Sequence, residues 1–373
     1  APVDRAANGA NVDYTQPLED GPTHHGFDYY YGDDVPNFPP YAFIENDRFP
    51  EIPDRPFEAG MPGVPGVMAA SWRPERLLTV ETEKAVAYIR EHRDGPFFLM
   101  VSLTAPHTPI APTPEFEGRS RAGRYGDFVE EMDHRIGEML AALRDAGIEE
   151  RTIVVFSSDN GSSFQDGGTA GGERYGGRFG SILDLGHNPS GRFRGMKSDS
   201  WEGGHRIPFL VRWPGVIPAG SVTDALTCDL DLYATLADVA GVTLSEGDAV
   251  DSRSLMPLLR GGEPVRTSLV AQSGNGILCY ISGDWKLIAG SGSGGSLNPY
   301  GQADLLPTYD AASGRWRNVQ LYNLASDPEE RYDRAALHPQ RVARMMEALA
   351  REVRRGGTAA DWEQGAWTAF LVK

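Results

Sequence analysis

Three kinds of hydrophobic pattern follow one another along the chain. Residues 1–75 hold none that persists. Pro, Gly, Asp and aromatic residues crowd together there, as in GFDYYYGDDVPNFPPYAFIENDR, with no period of 3.6 or 2. Such a stretch predicts ordered loop, because its aromatic content gives it surface to bury. A periodic segment follows. Leu78, Ala85, Val86 and Ile89 predict a helix from Leu77 to His92, ended by Gly95-Pro96. Phe97–Leu103 is a short apolar run, which predicts a strand buried on both faces. Tyr125, Phe128, Val129, Met132, Ile136, Met139, Leu140 and Leu143 then share one helical face, up to Gly147. Thr152–Phe156 and Ile207–Trp213 predict two more buried strands. Between them lies a long glycine-rich loop over residues 161–204. Asp229–Ala240 predicts a further helix.

Helices alternating with apolar strands predict an α/β fold, a mostly parallel central sheet flanked by helices on both faces. Ligands bind beyond the carboxyl ends of such strands. That rule selects His107, after the first strand, and Asp159–Asn160, after the second. From about Ser268 the pattern changes. Short strands are predicted at Ser268–Gln272, Gly276–Ser282, Trp285–Ala289 and Leu321–Leu324, separated by Gly-rich turns. A last helix runs from Pro339 to Arg354, with Val342, Met345, Met346, Leu349 and Val353 inward. The expected division is an α/β domain over 1–264 and a small antiparallel sheet with a packed helix over 265–373.

Composition narrows the function. A formal net charge of -17 disfavours nucleic acid as a partner through a basic surface. It leaves an anionic substrate open, since a bound cation or a few focused basic groups reverse the local sign. The 44 Gly and 27 Pro predict many loops, where functional residues concentrate. Cys228 and Cys279 make neither a disulfide framework nor a zinc motif. No apolar run reaches the length of a membrane span.

Each candidate residue has a functional reading and a plainer one. Asp159 and Asn160 offer two oxygen side chains, a fraction of the six to eight that a hard cation takes. The same D-N-G sequence also makes an Asx turn, which spacing alone favours. His107, in A-P-H-T-P, is held by flanking prolines and suits a contact to an anionic oxygen or a general acid. Its plainer role is a backbone-bonded loop histidine. Lys197, in F-R-G-M-K-S-D-S-W-E-G-G-H-R-I-P, can meet a tetrahedral anion as a point charge, or simply face solvent. His205 is a further candidate for substrate contact. Arg206 is a candidate for contact or for a structural ion pair. Adjacent His24 and His25 do not converge on one metal.

Taken in order, DYTQPLEDGPTHHGFDYYYG, APHTP, VVFSSDNGS, GMKSDSWEGGHRIPFLVRWPG, DLYATLADVAG, GDWKLI and QLYNLASDPEE resemble type I sulfatases of the alkaline-phosphatase-like superfamily. The resemblance covers nearly the whole chain. It implies a sulfuric ester hydrolase of that fold, periplasmic or secreted, acting on a sulfated small molecule or glycan. By position, Asp159 and Asn160 match the downstream pair of calcium ligands. Lys197 matches the lysine that binds the sulfate group, and His107 the histidine that contacts sulfate and assists the leaving oxygen. The family nucleophile is a formylglycine made from Cys in a C-x-P-S-R type motif.

Neither Cys228 (T-C-D-L) nor Cys279 (L-C-Y-I) fits that motif. The upstream Asp-Asp metal pair and the G-K-W-H-L-G segment are not found either. In the family all three precede the position of Ala1, so truncation of the gene or of the sequence is expected. The 373 residues alone are then expected to be inactive and to fold poorly. Two competing readings are a phosphatase or phosphonate hydrolase of the same superfamily and a non-catalytic binder of sulfated glycans.

Overall fold

A computed structural model describes residues 9–58, 61, 63–169, 175–295 and 306–355. Residues 170–174 of the glycine-rich loop lie outside that set. The chain forms two compact units. The first joins Ala1–Thr152 to Ser163–Asn188, and the second joins Ile153–Ser162 to Pro189–Lys373.

The first unit begins in loops, as the aperiodic sequence predicts. They are pinned by two short antiparallel ladders, β1 (Tyr31–Gly32) with β2 (Ile44–Glu45) and β3 (Arg55–Pro56) with β4 (Val67–Met68). Aromatic residues supply the core. Tyr41, Phe49 and Trp72 are buried with Ile44, Met68 and Leu77. Trp72 and Tyr41 each bring a polar tip that needs a partner. Trp72 Nε1 donates to Asp33 Oδ2 at 2.6 Å and Tyr41 Oη to the Val64 carbonyl at 2.8 Å. Helices α1 (Leu77–Glu91) and α2 (Gly123–Asp145) follow, with Leu78 and Phe128 in one cluster with Ala105 and Ile110. A one-turn helix, α3 (Ser181–Asp184), lies in the glycine-rich stretch.

One expectation needs correction here. Phe97–Leu103 forms no ladder among the described residues. It is not buried on both faces: Phe98 and Met100 are 56% and 66% exposed, while Phe97 and Leu103 pack inward. An apolar run reveals a demand for neighbours, and strand pairing needs a partner backbone that no described residue supplies. The parallel ladder is also not found among the described strands. Strands β5 (Val154–Phe156) and β6 (Leu210–Arg212) pair antiparallel, Val155 opposite Val211. Both leave apolar side chains at the surface, Leu210 58% exposed.

The second unit continues with α4 (Glu202–His205), α5 (Asp231–Ala240) and α6 (Met256–Leu259). Asp231, fully buried, accepts hydrogen bonds from the backbone of Cys228 and Arg253 and pairs with the Arg266 guanidinium. The predicted C-terminal sheet is present. Strands β7 (Ser268–Gln272), β8 (Leu278–Ser282), β9 (Trp285–Ile288) and, beyond a hairpin of β10 (Thr308–Asp310) and β11 (Arg315–Arg317), β12 (Gln320–Asn323) are antiparallel in the order β12-β9-β8-β7. Helix α7 (Pro339–Arg355) lays Val342, Met345, Met346 and Leu349 on Leu278, Tyr280, Leu287 and Leu321. Burying each such side chain contributes about 1.5–3 kcal/mol. No helix among the described residues is long and apolar enough to cross a membrane.

Candidate functional site

Asp159 and Asn160 leave the end of β5 in the second unit. Ser158 Oγ donates to the Asn160 carbonyl and Asn160 Nδ2 to the Gly161 carbonyl, both at 3.1 Å. The turn is thus held by serine and asparagine. The exposed Asp159 carboxylate has no hydrogen-bonding or ion-pairing partner among the described residues. A second carboxylate stands near. Asp229 accepts Ser157 Oγ at 2.9 and 3.0 Å. Burial raises its pKa, and the charge of Asp159 adds to the rise against the Ser157 hydrogen bond. Two carboxylates crowded at a strand end suit a cation in kind. They do not suffice in number, since no group of three or more His, Cys, Asp or Glu among the described residues is disposed to hold a metal ion.

Lys197 sits on a tight turn. The Asp199 N–H donates to the Met196 carbonyl at 3.0 Å, which makes Lys197 the second residue of four. The third, Ser198, takes φ 76°, a left-handed conformation that usually goes to glycine and costs a serine strain. Asp199, nearly buried, holds the turn: its Oδ2 accepts from Met196 N at 2.9 Å and its Oδ1 from Ser293 Oγ at 2.7 Å. The Lys197 N–H donates to the Ser162 carbonyl at 2.8 Å, so the turn lies against the strand end that carries Asp159. The half-buried Lys197 ammonium has no partner among the described residues.

The glycines make this approach possible. Gly161 N–H donates to the Gly204 carbonyl at 3.1 Å, and a Cβ on Gly161 would stand 1.8 Å from the Gly203 carbonyl oxygen. Only a residue without a side chain fits there.

His205, the last residue of α4, has its imidazole in the interior. Burial, and then the Lys286 charge, push it down to about 4 against the opposing pull of Glu202. The ring is neutral at physiological pH, and its buried Nε2 has no hydrogen-bond partner among the described residues. Arg206 takes the structural role: its Nε donates to Glu202 Oε2 at 2.8 Å.

His107 belongs to the first unit. Its exposed ring approaches the Thr108 carbonyl through Nδ1 at 2.6 Å. A carbonyl only accepts, so Nδ1 carries the proton and Nε2 is the atom left for chemistry. The structure therefore brings Lys197, Asp159 and Asn160 onto neighbouring backbone, while His205 turns its ring into the interior. Burial raises the thiols of both cysteines, Cys279 to about 11, so neither is a ready nucleophile.

Three charged residues near this site escape a reading of the sequence. Glu202, Lys286 and Glu330 are buried together, with Lys286 Nζ 2.9 Å from Glu202 Oε1 and 3.1 Å from Glu330 Oε1. All three lie in tracts quoted above, Glu202 in GMKSDSWEGGHRIPFLVRWPG, Lys286 in GDWKLI and Glu330 in QLYNLASDPEE, but only the lysine inside the apolar strand W-K-L-I stands out from its neighbours.

Comparison with known proteins adds the following. The sulfatase family model matches residues 9–242. An N-acetylgalactosamine-6-O-sulfatase of Bacteroides thetaiotaomicron is 33% identical over 285 residues, covering 76% of this chain and 52% of the relative. A steryl-sulfatase of Rattus norvegicus is 42% identical over 174 residues, 47% of this chain and 28% of that one. A solved Bacteroides thetaiotaomicron protein of glycosaminoglycan metabolism superposes with a TM-score of 0.74 at 27% identity, covering 91% of this chain and 75% of the other. The chain spans about half the length, or less, of these curated relatives.

Proposed function

The chain belongs to the sulfatase family, and from that premise we propose that the full-length protein hydrolyses a sulfate ester carried by a carbohydrate. The observation that carries this reading is the half-buried Lys197, whose side chain has no partner among the described residues and whose backbone is bonded to Ser162, two residues beyond Asn160. A cation beside a strand end, with no counter-ion among the described residues, fits an anionic group. The carbohydrate part draws support from the N-acetylgalactosamine-6-O-sulfatase, the relative with the broader coverage of this chain.

The roles follow from the chemistry of each group. Lys197 binds a sulfate oxygen and stabilises the charge that builds there in the transition state. His107, protonated at Nε2 and oriented through Nδ1, gives its proton to the departing alcohol. His205, at the end of α4, is the further candidate for substrate contact, although its neutral ring lies in the interior beside Lys286. Asp159 and Asn160 would supply two oxygen ligands to Ca²⁺, with Asp229 as a neighbouring carboxylate. When bound, Ca²⁺ contributes Lewis-acid stabilisation of the sulfate oxygens. The formylglycine of the family is the expected nucleophile and corresponds to neither Cys228 nor Cys279.

The test is turnover by the full-length protein, with Ca²⁺ present, on 6-sulfated N-acetylgalactosamine, a steroid sulfate and an aryl phosphate. Preference for the sugar sulfate by kcat/KM is the expected result. Preference for the steroid sulfate would overturn the substrate class, and preference for the phosphate would overturn the sulfatase reading of the site.

A further inference from the structure

We infer that Lys286 and Glu330 are positioning residues for the Lys197 turn: the buried ion pairs of Lys286 with Glu330 and Glu202, and the bond from the Glu202 N–H to Glu330, hold that turn against the Asp159–Asn160 strand end. The inference rests on the reading of Lys197 and Asp159 as site residues.

The connection runs through a few bonds within the second unit. Lys286, on β9, and Glu330 are both 0% exposed, and Glu202 is nearly so. Glu202 begins α4, five residues after Lys197. Its side chain accepts from Lys286 Nζ at 2.9 Å and from Arg206 Nε at 2.8 Å, and its N–H donates to Glu330 Oε2 at 2.6 Å. The Arg194 guanidinium lies 3.8 Å from the Trp201 ring centre and donates to the Glu330 carbonyl at 3.0 Å. Gly203 N donates to the Arg194 carbonyl at 2.7 Å and Gly204 N to the Trp201 carbonyl at 2.9 Å. The segment from Arg194 to Gly204 is thereby closed on itself with Lys197 at its tip. The Gly204 carbonyl and the Lys197 N–H then bond Gly161 and Ser162. Both ends of the segment are thus tied to the buried charges on one side and to the strand end on the other.

Cohesion of the sheet alone does not call for a lysine here. Apolar side chains of similar volume hold a core as well as a buried ion pair or better, because desolvation offsets the Coulomb attraction. What the charges add is selectivity among arrangements. Two cations, Lys286 and Arg206, meet two carboxylates, Glu202 and Glu330, and a displaced α4 would leave one charge buried and unpaired. Burial alone would lower the Lys286 pKa, but Cys279, Glu202 and Glu330 raise it above its usual value. Glu202 is held below its usual value by Lys286 and Arg206 despite burial. For Glu330 burial wins over Lys286, and its pKa is raised. Glu330 is the more weakly ionised partner, and its amide isostere is the gentler substitution.

The experiment compares Glu330→Gln and Lys286→Met in the full-length protein. Hydrogen–deuterium exchange is followed in peptides over 158–165 and 194–205, with 342–350 of α7 as the internal control. Turnover of an aryl sulfate is measured alongside, in the parent and in a Lys197→Ala background. Glu330→Gln is expected to speed exchange in the two site peptides and leave α7 unchanged. It is also expected to lower kcat about tenfold at constant KM, less than the hundredfold of a 1 Å misplacement, and to add nothing in the Lys197→Ala background. Unchanged exchange in the site peptides, an equal rise in α7, or a kcat loss that adds fully to that of Lys197→Ala would overturn the positioning role. If Lys286→Met does not fold, Glu330→Gln alone decides. Should Lys197→Ala keep full turnover, the sulfatase reading of Lys197 falls, and the exchange comparison still decides whether these charges hold the turn.

Discussion

Alanine at position 161 would force apart the two backbones that the candidate site brings together. The new Cβ would meet the Gly203 carbonyl oxygen at 1.8 Å, its carbon at 2.9 Å and Gly204 Cα at 3.2 Å. All three are backbone atoms, so no rotamer change relieves the clash. Gly161 is not in the left-handed region, so the alanine itself adds no strain of that kind. Restoring ordinary contact requires a shift of about 1.5 Å, since carbon–oxygen contacts settle near 3.4 Å or beyond. The Gly161–Gly204 hydrogen bond, now 3.1 Å, is lost in that shift. Overpacking and the lost bond together cost about 2–4 kcal/mol. A displacement of that size between Lys197 and Asp159 lowers kcat by about a hundredfold. Urea unfolding of Gly161→Ala and turnover of an aryl sulfate by the folded fraction measure the two effects. Gly137→Ala is the control. It lies exposed on α2 with open space around its Cβ position, and it should gain up to about 1 kcal/mol. A Gly161→Ala protein with parental stability and turnover would refute the close approach.

Burial pushes Asp33 up to about 7, against the Trp72 hydrogen bond, and pushes Glu81 up to about 7 as well. Raised carboxyls stabilise the fold fully below their unfolded pKa values and lose that contribution as pH rises through about 7. Stability of the first unit should therefore fall by about 4 kcal/mol or more between pH 4 and pH 8; Asp33→Asn should flatten the trend, and equal slopes in the two proteins would contradict it. Arg266→Ala leaves Asp231 charged and buried without its partner. It should cost about 3–5 kcal/mol in urea unfolding, and a loss under 1 kcal/mol would show that the pair contributes little. Asp159→Ala should weaken Ca²⁺ binding by calorimetry, and equal affinity in parent and variant would remove Asp159 from the metal site.

The sequence was most legible where one period persists over many residues. Leu77–Glu91, Gly123–Asp145 and Pro339–Arg355 form helices close to where their apolar faces predict them. Ser268–Gln272 forms a strand with the bounds expected of it. Phe97–Leu103 has the apolar run of a strand without the ladder, because hydrophobicity records a side chain's need for cover, while a strand also requires a hydrogen-bonding backbone beside it. The two-residue ladders near Tyr31 and Arg55 are too short to leave any periodicity. At the site, Asp159 and Lys197 were legible because their tracts carry family motifs. Glu202, Lys286 and Glu330 lie in such tracts too, yet nothing there singles them out, because charged residues read as surface until a fold brings opposite signs together. His205 shows the reverse. It lies within a motif, yet its ring points into the interior beside Lys286.

The most direct measurement is hydrolysis of one aryl alcohol as its sulfate and as its phosphate, by the full-length protein and its Lys197→Ala variant, with Ca²⁺ present. The sulfate should be the better substrate by kcat/KM, and Lys197→Ala should lower kcat on it by about a hundredfold or more, the scale of losing an electrostatic stabiliser of the transition state. Equal sulfate turnover by parent and folded variant, or a preference for the phosphate, would contradict the assignment of this site to sulfate-ester hydrolysis.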